Sequence, residues 1–314
     1  MTHLSHIALP KVGTSQRPIM SLTETHGVNR RAQMMYERFY GLQEVMQHDQ
    51  CLDGMLSAAL RDVLVHLDDA HMDSGHLVYC KTQTHNTISS ENWLRGFADN
   101  HGLHNWEVSA LSMTSCASAL VQMHMAQIMS KPDEPLIILT GEKTFHPWVS
   151  RLPVGLLAEI PAAALFNVDH TSWNIAGTTI RHLPRFHENP DVMSADDRRA
   201  LQESYATGLI AFIADSLAQF EPDLRKDMVF LPHNLNQPVT RMILDHFGWG
   251  DRCFHGDVAH VGHGFCSDIF LNLAAFEADD CSASQVLVLA AGTGVTFATC
   301  LLDRTPHQSI LEGY

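Results

Sequence analysis

Short apolar runs alternate with amphipathic stretches along this chain of 314 residues, and the alternation predicts strands and helices in turn. Apolar residues at helical spacing predict a helix from Leu52 to Leu67. Ser194, with two aspartates in the turn after it, predicts the capped start of a long helix that ends at Phe220. The compact apolar runs predict buried strands at Leu77–Cys80, Pro135–Thr140, Ala162–Val168, Thr178–Leu183, Met228–Leu231, Gln285–Ala291 and Val295–Leu302. We therefore expect a layered α/β fold, in which residues 1–40 begin irregularly.

A single thiol lies where a predicted strand runs into a predicted helix, in the stretch from Ser109 to Gln127. The stretch begins with a short apolar strand, continues through a polar turn and ends as an apolar helix that starts at Cys116. Thr114 and Ser115 can cap this start. The positive end of the helix macrodipole favours a thiolate, which makes Cys116 a candidate nucleophile. The alternative is a buried structural cysteine, and the stretch alone fits both interpretations equally well.

Composition restricts the classes of function. Hydrophobic residues make up 45% of the chain and charged residues 18%, as in a globular protein. No apolar run reaches the roughly 18 residues that span a bilayer, and the N-terminus does not resemble a signal peptide, so we expect a cytoplasmic protein. The net charge of −15 argues against nucleic acid and against an anionic membrane as partners. Seven scattered cysteines without a CxxC pair argue against a disulfide framework or a cysteine-built zinc site.

Two histidines and a glycine turn also follow apolar segments. His233 comes directly after the apolar run that ends at Leu231, His263 lies in a glycine-rich segment, and the turn Gly292–Gly294 follows a buried strand. A thiolate, imidazoles that move protons and backbone N–H groups that hold an oxyanion are together the requirements of acyl transfer from a thioester.

Each of these features has a structural alternative when it is considered alone. A histidine after a strand is more often a hydrogen-bonded structural residue, and Gly-Thr-Gly is a common tight turn. The spacing of His255, His260 and His263 does not match a recognised ligand pattern, so the sequence predicts no metal site. No bound cofactor is expected either.

Four segments, spread in order over nearly the whole chain, match motifs of one enzyme family. They are Thr23–Arg31, Ser112–Ala119, Pro232–Asn236 and Val286–Leu302. In these segments the chain resembles the thiolase superfamily, and specifically the condensing enzymes similar to ketoacyl-ACP synthase III. The resemblance implies a thiolase fold of five α-β-α-β-α layers, built from two similar halves that we assign to residues 1–168 and 169–314.

The resemblance also assigns roles to residues. It implies Cys116 as the residue that carries the acyl group and His233 as an active-site base or hydrogen-bond donor. It implies an oxyanion hole formed by the backbone N–H groups of Cys116 and Thr293. Three further residues have supporting positions in the matched motifs: Asn236, Gly292 and Gly294.

Two segments depart from the family pattern. Val261–Phe265 stands where the family carries Tyr-Gly-Asn-Thr-Ser, so His263 replaces an asparagine as the third member of the catalytic set. A Cys–His–His set also resembles the elongating ketoacyl synthases, which decarboxylate malonyl groups. Leu157–Ala164, which includes Glu159, stands in place of a Gly-Asp-Gly-Ala-rich turn. We therefore expect a divergent enzyme of specialised metabolism.

The resemblance implies a reaction in two halves. Cys116 takes an acyl group from CoA or from an acyl carrier protein, and the acyl group then forms a carbon–carbon bond with a malonyl-type thioester. His263 leaves open the formation of an ester or amide without decarboxylation, and hydrolysis is a third route. A further alternative is a non-catalytic subunit of a synthase heterodimer, although such chains typically lose the nucleophile.

Positive charge and a second subunit complete these expectations. CoA phosphates and carrier proteins are anionic whereas this chain is acidic, so the entrance to the site needs local cations. The candidates are Arg30, Arg31, Arg151, Arg181 and Arg185. The resemblance further implies a homodimer.

Overall fold

The computed structural model describes residues 2–26, 28–82, 92–129, 134–144, 151–152, 155–168, 172–186, 193–235, 237–279, 281–292 and 296–305. Its strands are β1 (His3–Ala8), β2 (Thr14–Pro18), β3 (Glu44–His48), β4 (His76–Cys80), β5 (Glu107–Leu111), β6 (Leu136–Thr140), β7 (Arg151–Leu152), β8 (Gly155–Leu156), β9 (Ala162–Phe166), β10 (Trp173–His182), β11 (Val229–Pro232), β12 (Gln285–Ala291) and β13 (Thr296–Arg304). Its α-helices are α1 (Arg30–Arg38), α2 (Leu52–Leu64), α3 (Asp69–Asp73), α4 (Trp93–Asp99), α5 (Ser118–Met129), α6 (Ala195–Phe220), α7 (Gln237–Phe247), α8 (Val258–Val261) and α9 (Asp268–Ala278).

One mixed sheet of nine strands runs through the described part of the chain, in the order β11-β12-β13-β10-β1-β9-β6-β4-β5. β4, β5 and β6 are parallel, and so are β11 and β12, so the carboxyl ends within each group lie at one edge of the sheet. β1 pairs antiparallel with β9 on one side and, through His3 and Leu4, with β10 on the other. β1 therefore joins the strands of the first half of the chain to those of the second.

Helices pack on both faces of this sheet, and helices and strands together form five layers. One face of β4, β6 and β9 packs on α2 and α4, and the opposite face packs on α5 and α9. One face of β12 and β13 packs on the same central helices, and the other face packs on α6 and α7. The expected α-β-α-β-α arrangement is therefore confirmed. Because α5 lies between two sheet faces, an apolar helix without a strong polar side is the sequence that suits it.

The beginning of the chain is more regular than the sequence indicates. Residues 1–40 were expected to begin irregularly, and this expectation is wrong, because β1, β2 and α1 all fall within them. The segment of β1 includes His3, Ser5 and His6 and lacks a compact apolar run. Its pairing with β9 and β10, which come much later in the chain, overrides this weak local preference.

The longest helix begins as predicted. The hydroxyl of Ser194 accepts a hydrogen bond from the backbone N–H of Asp197 at 3.1 Å, which caps α6. α6 has 26 residues, but acidic and basic side chains interrupt its apolar surface. Among the described residues, no helix combines the length and the hydrophobicity that crossing a bilayer requires.

The central helix α5 provides a test of this layer order. Leu120 is 1% exposed inside the central layer, whereas Ile128 on the same helix is 73% exposed. We expect Leu120→Ala to lower the free energy of unfolding by about 2–5 kcal/mol, because it leaves a cavity between the two sheet faces. Ile128→Ala is the matched control and should change it by less than about 0.5 kcal/mol. Urea denaturation followed by circular dichroism measures both, and equal losses would contradict the assignment of α5 to the centre.

Candidate active site

The turn that carries the candidate nucleophile Cys116, called the nucleophile turn below, connects β5 to α5. Cys116 lies in a short 3-10 helix, Ser115–Ala117, directly before α5 begins. Ser115 has a φ of +53°, a left-handed conformation that non-glycine residues rarely adopt. The predicted cap is different in detail: Thr114 makes no side-chain capping bond, and the Ser118 hydroxyl instead donates to the Ser115 carbonyl at 2.7 Å. The turn is thus held from the helix side, and it presents a buried thiol.

His263 lies against this thiol. Its Nε2 is 3.2 Å from the Sγ of Cys116, which is hydrogen-bonding distance for a sulfur atom. Both residues are buried, and the side chains of Leu157 and Phe265 enclose the pair. Residues 147 positions apart in the sequence are therefore brought into direct contact.

The other ring nitrogen of His263 is held by a carboxylate. Nδ1 forms a short hydrogen bond with Oδ2 of Asp268, the first residue of α9. The same carboxylate accepts the backbone N–H groups of Gly264 at 2.7 Å and of Asn234 at 2.9 Å. A carboxylate that is 0% exposed needs such partners, because a buried charge without them is strongly destabilising.

These neighbours determine the charge of His263. Burial disfavours the charged imidazole, but the negative charges of Asp268 and Cys116 outweigh it and raise the pKa of His263 well above its ordinary value. An imidazolium beside the sulfur stabilises a negative charge on Cys116. The arrangement is that of a nucleophile, a base and a positioning carboxylate.

His233 has a different environment. It follows β11, and its Nε2 accepts the backbone N–H of Ala291 at 3.1 Å. Its ring meets that of His263 edge-on, with the centroids 5.2 Å apart. Burial and the charge of His263 hold the pKa of His233 well below its ordinary value, so the ring is neutral. Its Nδ1 is buried and lacks a hydrogen-bond partner in the described ranges.

From the sequence, the helix macrodipole was expected to favour the Cys116 thiolate, and His233 was expected to be an active-site base or hydrogen-bond donor. The structure brings Cys116, His233 and His263 together, and it is His263 that makes the hydrogen bond to the thiol. Their convergence follows from topology, since the nucleophile turn follows β5, and His233 and Gly292 follow the parallel strands β11 and β12. Polar side chains at the carboxyl ends of parallel strands are the usual location of an α/β site.

Gly292 allows the turn after β12 to pack closely against the turn that carries Cys116. A Cβ atom at this position would lie 2.9 Å from the carbonyl oxygen of Thr114 and 3.0 Å from Cβ of Ser115. Any side chain would therefore push the nucleophile turn away. The other predicted supporting residues, Asn236, Thr293 and Gly294, lie outside the described residues, so the predicted oxyanion hole stays a prediction.

A second thiol lies next to Cys116. The hydroxyl of Thr82 is 3.5 Å from the sulfur of Cys116 and 3.8 Å from that of Cys266. Burial raises the pKa of Cys266 well above its ordinary value, and the charges of Glu142 and Cys116 raise it further. Cys266 therefore remains protonated and does not compete as a nucleophile.

The divergent segment Leu157–Ala164 supports His263. Leu157 bridges to His263 in a parallel arrangement, and the backbone N–H of Ala158 donates to the His263 carbonyl at 2.8 Å. The buried Glu159 accepts from Lys143 Nζ at 2.6 Å and from the backbone N–H groups of Thr144 and His48, both at 2.9 Å. The glutamate that departs from the motif expected at this position is thus a buried structural residue held by three donors.

The candidate arginines have varied surroundings. Arg30 and Arg31 are exposed at the start of α1. Arg181 is paired with Asp215, and Arg185 with Asp197. The side chain of Arg151 lies outside the described residues. Their assignment to phosphate or carrier-protein contacts stays a prediction.

A divalent cation is chemically compatible with part of the site. One ligand atom from each of His233, His263 and Asp268 lies within 4.8 Å of the others. The Asp268 oxygens already accept three N–H groups, however, so the geometry favours hydrogen bonding over coordination.

Sequence reasoning missed Asp268, Thr82 and Glu142. Asp268 was treated as an ordinary helix residue, although a carboxylate in the apolar sequence Asp268–Leu273 is itself a signal of a buried partner. Thr82 and Glu142 follow β4 and β6, and the Thr82 backbone N–H donates to Glu142 at 2.5 Å. The proximity of these two residues to Cys116 and Cys266 follows only once the order of the strands is known.

Comparison with solved structures supports the fold. The chain is similar to ChlB3, described as an acyltransferase, with a TM-score of 0.74 and 12% identity over 96% of this chain and 97% of that one. It is similar to 3-oxoacyl-(acyl-carrier-protein) synthase III from Aquifex aeolicus, with a TM-score of 0.74 and 12% identity over 96% and 100%. It is also similar to the C-terminal type III polyketide synthase domain of Steely1 from Dictyostelium, with a TM-score of 0.72 and 12% identity over 96% and 99%. The thiolase fold expected from the sequence is therefore confirmed.

Sequence comparison alone finds no such relationship. No protein-family model matches the chain, and no curated protein matches it.

The Glu159 cluster makes a testable contribution to stability. Glu159→Gln places an amide N–H₂ among three donors, and we expect it to lower the free energy of unfolding by about 1–3 kcal/mol. Asp215→Asn removes one partner of an exposed ion pair and should cost less than about 1 kcal/mol. Urea denaturation of both variants measures the difference. A Gln variant as stable as the Asn control would show that the Glu159 bonds do not support this segment.

Proposed function

We propose that the protein is a thioester-dependent acyltransferase that carries the acyl group on Cys116. The observation that carries this proposal is the 3.2 Å contact of the Cys116 sulfur with an imidazole whose other nitrogen is held by buried Asp268. A thiol nucleophile beside an oriented imidazole is the arrangement that covalent acyl transfer requires. The thiolase fold, shared with enzymes described as an acyltransferase and a 3-oxoacyl synthase, is consistent with it.

The first half-reaction loads the enzyme. The thiolate of Cys116 attacks the carbonyl carbon of the donor thioester, and a carbon–sulfur bond forms to Cys116. The tetrahedral intermediate then collapses, the donor carbon–sulfur bond breaks, and the leaving thiolate takes a proton from Nε2 of His263. The products are an acyl-Cys116 thioester, a free thiol and a neutral His263.

His233 completes the proposed site as a neutral hydrogen-bond donor. Because its Nε2 accepts the backbone N–H of Ala291, the ring proton is on Nδ1. A buried donor without a partner costs about 1–3 kcal/mol, and a substrate oxygen would remove that cost. We assign to His233 the stabilisation of oxygen charge during acyl transfer. The backbone N–H groups of Cys116 and Thr293 are the proposed oxyanion hole.

The second half-reaction has two candidate routes from the same acyl-enzyme. The carbon–carbon route uses a malonyl-type thioester, and His233 would donate to the enolate that decarboxylation produces. The other route transfers the acyl group to oxygen or nitrogen. The non-catalytic alternative is disfavoured, because a chain without catalysis would not need a thiol, an imidazole and a buried carboxylate in contact.

The donor is proposed to be acyl-CoA or an acyl carrier protein. Arg30 and Arg31 are exposed on α1 and are available to an anionic partner, whereas Arg181 and Arg185 already pair with aspartates. A thioester substrate of this kind requires no bound cofactor.

A homodimer through β5 is part of the proposal. β5 is an edge strand of the sheet, and its outward side is largely exposed. The backbone groups of Glu107 and Leu111 bond to the β4 side, so alternation directs the N–H groups of Val108 and Ala110 outward. An unpaired edge of this kind is a ready template for the same strand of a second copy.

The acyl-enzyme is directly testable by mass spectrometry of the intact protein. After incubation with acetyl-, butyryl- or octanoyl-CoA, we expect a mass increase equal to one acyl group, located on Cys116 by peptide mapping. Cys116→Ala should abolish the increase, because the nucleophile is absent. Cys266→Ala is the matched control, since it removes the neighbouring buried thiol and should leave acylation intact. Acylation of the Cys116→Ala variant at the normal level would refute the proposal.

The dimer is testable with a single backbone donor. Ala110→Pro removes one outward N–H without touching the bonds to β4, so we expect it to convert the dimer to a monomer in sedimentation analysis. Ala110→Thr keeps the N–H and should remain dimeric. A monomeric wild-type protein at micromolar concentration, or a dimeric proline variant, would exclude β5 as the interface.

A further inference from the structure

The His263–Asp268 pair supplies a general base for which the loading step has no use. In that step His263 acts as an acid, because it gives its proton to the leaving thiolate. A neutral imidazole then remains beside the acyl-Cys116 thioester, with Nε2 directed to the reacting centre and Nδ1 held by the carboxylate. The enzyme therefore enters its second half-reaction with a positioned base next to the carbonyl group.

Asp268 determines which nitrogen exchanges protons. Its carboxylate is completely buried, and a buried carboxylate requires the Nδ1 proton of His263 as a partner in both charge states of the ring. Nδ1 is thus always protonated, and Nε2 alone gains and loses the proton. The site fixes one tautomer, which leaves a lone pair on Nε2 once the enzyme is acylated.

From this geometry we infer that the acyl group on Cys116 is passed to the hydroxyl group of an alcohol, with His263 taking the hydroxyl proton and Asp268 positioning the imidazole. The inference rests on the proposed acyl-enzyme and names its acceptor. Asp268 is a positioning residue, because it acts through His263 and does not touch the substrate.

Proton balance separates the candidate acceptors. A malonyl thioester gains its nucleophilic carbon by losing carbon dioxide, so no proton has to be taken from it. A neutral amine attacks first and loses its proton afterwards. A hydroxyl group is a poor nucleophile unless a base removes its proton as it attacks. The alcohol is therefore the acceptor that needs what His263 and Asp268 provide.

The transfer step balances without another reactant. The hydroxyl proton moves to Nε2 of His263 while the oxygen forms a bond to the acyl carbon. The carbon–sulfur bond to Cys116 then breaks, and its electron pair returns to sulfur. The products are an ester and the starting pair of thiolate and imidazolium.

The test follows the decay of isolated acyl-enzyme by mass spectrometry. Acetyl-, butyryl- or octanoyl-enzyme is freed of donor and mixed with water alone, butanol, butylamine or malonyl-CoA, across a range of pH. Water is itself a hydroxyl acceptor, so every acyl-enzyme reports on the base. We expect decay in water to rise with pH as His263 loses its proton, and we expect butanol to accelerate decay and to yield the butyl ester.

Asp268→Asn gives a readout that a purely structural role would not change. In the acyl-enzyme Cys116 has no charge, so among the described groups that act on His263 only Asp268 still raises its pKa, while burial lowers it. The variant should move the midpoint of the pH profile downward by about one unit or more and lower the plateau by about 10²-fold. Ser267→Ala is the matched control. Ser267 precedes Asp268 in the chain, but its hydroxyl bonds to Thr140 and Ile160, so this variant should leave both the midpoint and the plateau unchanged.

The outcomes are distinct. An acyl-enzyme that persists in water and butanol but is discharged by malonyl-CoA with release of carbon dioxide overturns the inference and leaves the proposed acyl-enzyme intact. Discharge by butylamine without any acceleration by butanol also overturns it. An Asp268→Asn variant with an unchanged midpoint and plateau removes the role of Asp268. Failure to form any acyl-enzyme, in contrast, refutes the proposed function itself.

Discussion

One buried carboxylate holds the candidate site together. Asp268 accepts three hydrogen bonds. The donors are Nδ1 of His263, the backbone N–H of Gly264 and the backbone N–H of Asn234, the residue after His233. These donors come from two loops, and the buried negative charge of Asp268 links them, together with a hydrogen bond from the Asn234 amide to the Gly262 carbonyl at 3.0 Å. The same charge fixes the tautomer of His263 and thereby the atom that faces Cys116. Asp268 therefore influences both the positions of the side chains in the candidate site and the position of the proton on His263.

The sequence predicted the features that local patterns encode. The apolar runs indicated most strands of the large sheet, because strands buried on both faces are nearly continuous in hydrophobicity. The turns after β5, β11 and β12 were correctly expected to carry Cys116, His233 and Gly292, since a polar residue after a buried strand stands out. The resemblance to thiolase-like enzymes added the layer order. The division into halves at residue 168 stays a prediction.

What the sequence did not predict depends on partners that are distant in the chain. β1 has no apolar run and is a strand because β9 and β10 flank it. Glu159 was recognised only as a departure from a motif, and its burial is possible because Lys143 and two backbone N–H groups donate to it. Asp268 is buried with two donors that are near in the sequence, His263 and Gly264, and one that is distant, the backbone N–H of Asn234. In each of these cases the structure depends at least in part on a partner that is distant in the sequence.

The central position of β1 has a consequence for how the chain folds. His3 bonds to Asn167, 164 residues later, so β1 cannot be incorporated into the sheet until the chain has been synthesised beyond residue 167. Closing so long a loop is entropically unfavourable, and folds rich in such distant contacts form slowly. β1 therefore remains unpaired while the later strands are synthesised, and in this period it can pair with the wrong strand. Its histidines and serine, which hid it from pattern analysis, also make the waiting segment less prone to aggregate.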